Sequence, residues 1–183
     1  MNDKGFRLDF AIAIGALFIS TVTALASVYQ SRVIAQQFSA AVWPYVSFDT
    51  TNSPASVALD LRNDGMGPAI VRWVAISWDR KPVASIEAVV DKLTGEAQKV
   101  HRPRHRGAVT FETSTPSVGL VIPANGQRPV IHVDGADVRE RFRPQLDRFD
   151  VSICYCSLTG TCWKASFKNR AGEPQNVAAC PHA

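Results

Sequence analysis

Residues 57–68 read Val57-Ala58-Leu59-Asp60-Leu61-Arg62-Asn63-Asp64-Gly65-Met66-Gly67-Pro68. Val57, Leu59 and Leu61 alternate with Ala58, Asp60 and Arg62, and a period of two sends one set inward and the other to solvent. That is a strand of an antiparallel sandwich. The following Asn63-Asp64-Gly65-Met66-Gly67-Pro68 stops it, because the glycines permit positive φ and the proline carries no N–H for a ladder. A phosphate-cradling loop is excluded, since no helix-forming run with Lys-Ser or Lys-Thr follows.

Outward from this stretch the same grammar recurs. Short apolar and β-branched runs at 45–50, 56–62, 69–78, 108–113, 118–122, 129–133, 150–157 and 161–167 are separated by Gly, Pro, Asn and Asp. The fold class expected is mainly β, an antiparallel sandwich with one or two short helices. One helix is expected at 85–93, closed by Thr94-Gly95, although Ile86-Glu87-Ala88-Val89-Val90 would serve equally as a strand. The other, at 137–149, puts Val138, Phe142, Leu146 and Phe149 on one side, with Pro144 expected to divide it into two short turns.

Upstream, residues 10–28 (FAIAIGALFISTVTALASV) contain no charge and no proline. At about 1.5 Å per helical residue they come close to the ~30 Å hydrocarbon core of a bilayer. Their polar side chains, Ser20, Thr21, Thr23 and Ser27, can bond back to the helix backbone. A cleaved signal peptide is the competing reading, because Ala24-Leu25-Ala26 fits a cleavage site behind a basic Lys4 and Arg7. The apolar run, however, exceeds the usual length of about 7–15 residues for such a segment. Lys4, Arg7 and the amino terminus outweigh Arg32 and put the N-terminus in the cytoplasm. No second run qualifies as a span, since Pro68 and Arg72 interrupt 66–78. The expected organisation is a cytoplasmic tail (1–9), a transmembrane helix (10–28), a helical stalk (29–42) and an extracytoplasmic domain (43–183) of a bacterial inner-membrane protein. Ala16, Ser20, Ala24 and Ser27 share one helix face and offer a partner helix, or a second copy, a close approach.

With 46% hydrophobic and 20% charged residues among 183, the chain can bury a core without a cofactor. Its net charge of +4 and pI near 9.0 come from scattered residues, so no nucleic-acid partner is expected. Two places are locally basic. His101-Arg102-Pro103-Arg104-His105-Arg106 reads as a solvated loop in which Arg102, Arg104 and Arg106 are the candidate contacts for an anion. Arg139, Arg141, Arg143 and Arg148 read as a solvated helix face.

All four cysteines lie late, as Cys154-x-Cys156, Cys162 and Cys180, and an even count across the membrane reads as two disulfides. Cys154 and Cys156 point to one face of a strand and are poorly placed to bridge each other. A hairpin over 157–161 sets Cys156 opposite Cys162, which leaves Cys154 to staple the tail through Cys180; sequence leaves other pairings open. Zinc is disfavoured by the spacing, and a Cys-x-x-Cys redox motif is absent. No metal or cofactor is expected.

The histidines give little. Pro103 stands between His101 and His105, and His182 is in the tail. His132-Val133-Asp134 puts a base and a carboxylate on one strand face, yet no Gly-x-Ser-x-Gly elbow supplies a nucleophile.

Trp43-Pro44-Tyr45-Val46, Leu59-x-Leu61-x-Asn63-x-Gly65-x-Gly67-Pro68-Ala69 and Ile122-Pro123-Ala124-Asn125-Gly126 together resemble uncharacterised bacterial single-pass proteins with an immunoglobulin-like or fibronectin-like extracytoplasmic sandwich. The resemblance covers about the first two-thirds of the domain and implies a fold, with no activity attached. The expected function is that of an accessory protein, not an enzyme, acting through protein contacts at the membrane as a small subunit of a complex. The alternative is a metal-dependent or redox envelope factor using the cysteines and the His101–Arg106 loop.

Overall fold

The computed structural model describes residues 3–100, 110–135, 138–169 and 172–181. The chain forms two compact units, Met1–Ala41 and Val42–Ala183. The first is a single helix, α1 (Asp3–Ala41), which runs unbroken through residues 28 and 29. Its Ile12–Ala41 portion is long and apolar enough to cross a membrane, and the apolar window is not buried against the protein. The hydroxyls of Ser20, Thr21, Thr23 and Ser27 donate to the carbonyls of Ala16, Leu17, Ile19 and Thr23 at 2.7–2.9 Å, so each satisfies itself within the helix.

The second unit follows the order β1 (Val46–Asn52), β2 (Ser56–Asn63), β3 (Ala69–Trp78), β4 (Lys81–Val83), α2 (Ile86–Val100), β5 (Thr110–Thr113) and β6 (Val121–Ile122). It continues with β7 (Gln127–Asp134), α3 (Val138–Leu146), β8 (Phe149–Cys156), β9 (Cys162–Ser166), a 3₁₀ turn (Phe167–Asn169) and β10 (Gln175–Val177). Two antiparallel sheets result. One has the order β1-β2-β7-β5 and the other β10-β9-β8-β3-β4, with β6 also on β3.

The alternation in β2 holds in part: Val57, Leu59 and Leu61 are buried and Arg62 is exposed, but Ala58, expected to face solvent, is buried too, its small side chain lying between Thr51 of β1 and His132 of β7. Facing Val57, Leu59 and Leu61 from the other sheet are Val71, Phe149, Val151, Ile153 and Tyr155 in one continuous core. Pro129 lies inside β7, an inner strand, where it cannot donate to a ladder. The register of β2 against β7 slips between Leu59 and Asp60, and Pro129 stands opposite that slip.

Two polar groups tie the halves together. Tyr155, fully buried in β8, accepts the Val46 N–H of β1 at 3.0 Å, a bond between the sheets and not a corner within one chain segment. Asn63, also fully buried, organises the loop that ends β2. Its Oδ1 accepts the N–H groups of Tyr45 and Gly65, both at 3.1 Å, and its Nδ2 shares its hydrogens among the carbonyls of Gly67, Ile122 and Pro123 at 2.8–3.1 Å. The loop closes tightly on the entering chain. A Cβ on Gly67 would lie 1.9 Å from the Val42 oxygen, and one on Gly65 2.3 Å from the Tyr45 nitrogen.

Several local expectations change. Residues 86–90 are helical, because Ser85 caps the helix by accepting the Ala88 N–H at 3.3 Å and Ile86, Val89 and Leu93 face the core. This helix continues past Thr94-Gly95 to Val100; Gly95 borders open space and the good helix formers after it carry the helix on. Pro144 does not divide α3, since it sits in the last turn, where it forfeits one backbone bond. Residues 118–120 are not strand, because Val118-Gly119 turns with Gly119 at φ 89°. Phe149 opens β8 and is not helical.

Candidate functional site

Three side-chain groups in the second unit carry chemistry, beginning with the cysteines. In β8, Val151, Ile153 and Tyr155 face the core, so Cys154 and Cys156 fall on the outer face of their sheet. Cys156 pairs directly with Cys162 across the five-residue connection 157–161, where Gly160 adopts φ 86°. The structure joins Cys156 to Cys162 and Cys154 to Cys180. Strand β10 runs the tail back along β9, pairing Val177 with Cys162, and so delivers Cys180 to Cys154. The two bridges touch: Cys156 Sγ lies 3.8 Å from Cys180 Sγ, and the sulfurs of Cys156, Cys162 and Cys180 lie within 4.8 Å of one another. Lys164 reaches over the Trp73 ring at 5.4 Å on the same sheet, its strand neighbour Cys154 lying between them.

The second group supplies the serine that the sequence did not reveal. Ser56 Oγ lies 3.1 Å from His132 Nε2, and Asp134 Oδ1 lies 3.3 Å from the same nitrogen. Ser56 pairs with Asp134 and Ala58 with His132 across β2 and β7, which is why a residue 76 positions away arrives there. A hydrolase triad needs the carboxylate on one ring nitrogen and the nucleophile on the other. Here both use Nε2, so an imidazole that donates to Asp134 cannot take the Ser56 proton. The group is a surface hydrogen-bond cluster.

The third group was not visible in the sequence. Asp79 and Arg80 form the two-residue turn between β3 and β4, both with left-handed backbones at φ 51° and 65°, without the glycine that such a turn favours. Arg148 holds the turn. Its Nε donates to Asp79 Oδ1 at 2.9 Å, its terminal nitrogen pairs with Oδ2, its carbonyl accepts the Asp79 N–H, and its guanidinium lies 4.9 Å over Trp78. The Arg148 hydrogen bonds hold the Asp79 carboxyl below the usual range. Beside this clamp a groove of about 520 Å³ opens between the hairpin and α2, lined by Lys81, Pro82, Val83, Lys92 and Gly95. Its lysines suit an anionic group.

No protein-family model, curated protein or solved structure matches the chain.

The remaining candidates are placed as follows. Ala16, Ser20, Ala24 and Ser27 all lie exposed on α1. His101, Arg102, Arg104, His105, Arg106 and His182 fall outside the described residues, so the basic loop has no geometry here. Arg148, read as part of a solvated helix face, belongs to the turn clamp instead; it follows α3 and is committed to Asp79. Asp79 is a turn former and ended the strand expected at 69–78, but Arg80 is not, so the two-residue hairpin into β4 escaped notice for want of a glycine at either position.

Proposed function

We propose that the chain is a membrane-anchored accessory protein that presents an extracytoplasmic domain for protein contacts, as a small subunit of a membrane complex. The observation that carries this reading is the pairing of two features in one chain: an unburied apolar helix of membrane-spanning length, and a domain whose four cysteines are joined in two disulfides. Disulfides persist in oxidising compartments, so the domain belongs outside the cytoplasm. Lys4 and Arg7 then place the amino terminus on the cytoplasmic side of a bacterial inner membrane.

The strand order supports the immunoglobulin-like version of the sandwich. β1-β2-β7-β5 facing β9-β8-β3-β4 corresponds to the A-B-E-D and G-F-C-C′ sheets of that fold, with β6 and β10 as additions. Such folds host many activities, and none follows from the topology. The face Ala16, Ser20, Ala24 and Ser27 offers the membrane contact: the serine hydroxyls fold back onto the helix, leaving a low surface against which another helix packs closely. Co-purification from detergent-solubilised membranes tests this. The triple variant A16L/S20L/A24L is expected to lose the partner or the self-association that wild type retains, and unchanged co-purification removes the helix face from the account.

The second reading, a metal-dependent or redox factor, draws on the sulfur cluster. Once reduced, Cys156, Cys162 and Cys180 would present three thiolates within reach of one ion. Metal analysis of the purified, unreduced protein separates the readings: stoichiometric zinc or copper favours the second.

A further inference from the structure

The end of the sandwich where the chain joins α1 is built from residues 42–45, 64–68, 117–126, 157–161 and 178–181. The registers bring these segments together. Val46 at the start of β1 pairs with Asn63 at the end of β2, Ile70 near the start of β3 pairs with both Val121 and Cys156, and Cys162 pairs with Val177. These segments contain one charged residue, Asp64, and Arg62 neutralises it at 2.6 Å. The opposite end carries Asp79, Arg80, Asp134, Asp147, Arg148 and Lys168.

Among the described residues, the uncharged end is also where the domain exposes its large apolar side chains: Met66 is 78% exposed, Leu158 59%, Val118 57%, Val121 48% and Trp43 44%. Met66 is held outward by construction, since it lies between Gly65 and Gly67 in the loop that Asn63 and the Trp43 carbonyl fasten. Exposed apolar groups gathered at one place, with charge excluded, mark a surface that meets something apolar.

Chain continuity says what that is. Ala41, the last residue of α1, directly precedes Val42. The candidate spanning helix Ile12–Ala41 has 30 residues, its apolar part ending near Val28 and residues 29–41 carrying Gln30, Ser31, Arg32, Gln36, Gln37 and Ser39. At about 1.5 Å each such a helix measures ~45 Å, the thickness of a bilayer with its headgroup layers. Resting on the anchor reading above, we propose that this end of the sandwich docks on the lipid surface, with Met66, Leu158, Val118, Val121 and Trp43 at the boundary of headgroups and acyl chains. Residues 29–41 then cross the headgroup layer and do not hold the domain above it. Valine, leucine and methionine side chains enter the boundary while the uncharged backbone turns stay at its wet side, and Trp43 takes the position that tryptophan favours there.

The test uses the full-length chain in phosphatidylcholine vesicles, with or without bromine on the acyl chains, and an added tryptophan as reporter. L158W and M66W report from the proposed docking end, and N52W, on an exposed strand position at the other end, serves as control. L158W and M66W emission is expected to shift to the blue and to be lost in brominated vesicles relative to wild type, while N52W adds emission that bromine leaves intact. Protein that floats with the vesicles but whose L158W and M66W emission is indifferent to bromine overturns the docking and leaves this end to a protein partner, with the anchor standing. Protein that no longer floats with vesicles overturns the anchor and the docking together.

Discussion

At the scale of single residues, Asn63 is the side chain that fastens the loop closing the sandwich onto the entering chain. It is buried where the chain entering β1, the loop after β2 and the turn before β7 meet, and it answers backbone groups of Tyr45, Gly65, Gly67, Ile122 and Pro123. Asn63→Ala leaves several buried N–H and C=O groups without partners, and at about 1–3 kcal/mol for each such group the expected loss is roughly 3–5 kcal/mol, read by chemical denaturation. Asn63→Asp keeps the acceptor but turns a carboxylate toward three carbonyls, so it is expected to rescue little. The sequence made this loop legible as a strand terminator, through Gly65, Gly67 and Pro68. It did not reveal why asparagine precedes them, because the partners at Ile122 and Pro123 lie some sixty residues away. Tyr155 gives a second test. Burial pushes its hydroxyl up to about 12, so the native state keeps a proton that the unfolded chain releases near its ordinary value. Folding then takes up a proton in this range, which rising pH opposes, so stability falls between roughly pH 10 and 12 and the loss approaches about 2–3 kcal/mol at the upper end. Tyr155→Phe is expected to flatten that alkaline limb while lowering stability at neutral pH, where the Val46 N–H loses its acceptor; an unchanged limb contradicts the burial account.

Among the elements, the outer face of β8 and the tail that covers it depend on the disulfides. In the chain-entropy account a bridge across a separation of 26 residues restrains the unfolded chain by about 3–4 kcal/mol, and one across 6 by about 2 kcal/mol. Cys154→Ser/Cys180→Ser is therefore expected to destabilise more than Cys156→Ser/Cys162→Ser. It should also free β10, seen as loss of amide-exchange protection at 175–177, which the other pair should leave protected. The Cys156–Cys162 pairing was legible because an odd connection aligns sulfurs across a hairpin, whereas Cys154–Cys180 was expected only as the staple for the tail, with other pairings open until the β10–β9 register delivers Cys180 to Cys154. The β3–β4 hairpin was not legible. Its turn residues carry left-handed backbones without glycine and depend on Arg148, which arrives from the other side of α3. Arg80→Gly relieves one such position and is expected to stabilise by about 0.5–1 kcal/mol, since Arg80 has no part in the Asp79 clamp. Helix α2 was half legible: residues 86–90 read equally as helix or strand, and Thr94-Gly95 suggested an end that the following helix formers override.

For the whole molecule, the two units expose different surfaces. The helix satisfies its hydroxyls internally and exposes apolar side chains along its length, whereas the domain hides its apolar residues between two sheets. This division was readable from sequence because each surface comes from its own sequence pattern, an uninterrupted apolar run in one case and alternation with turns in the other. What contacts the domain was not readable, since the surface groups that meet at its ends come from segments far apart in the chain. The account requires the domain to face an oxidising space with its four cysteines joined. A membrane-impermeant maleimide applied to intact cells, with and without prior treatment by an impermeant reductant, followed by mass measurement of the intact chain, tests this most directly. The expected result is no adduct before reduction, four adducts after it, and a mass that still includes α1. Adducts formed without reduction, or a chain that remains unlabelled after it until the membrane is opened, would contradict the account.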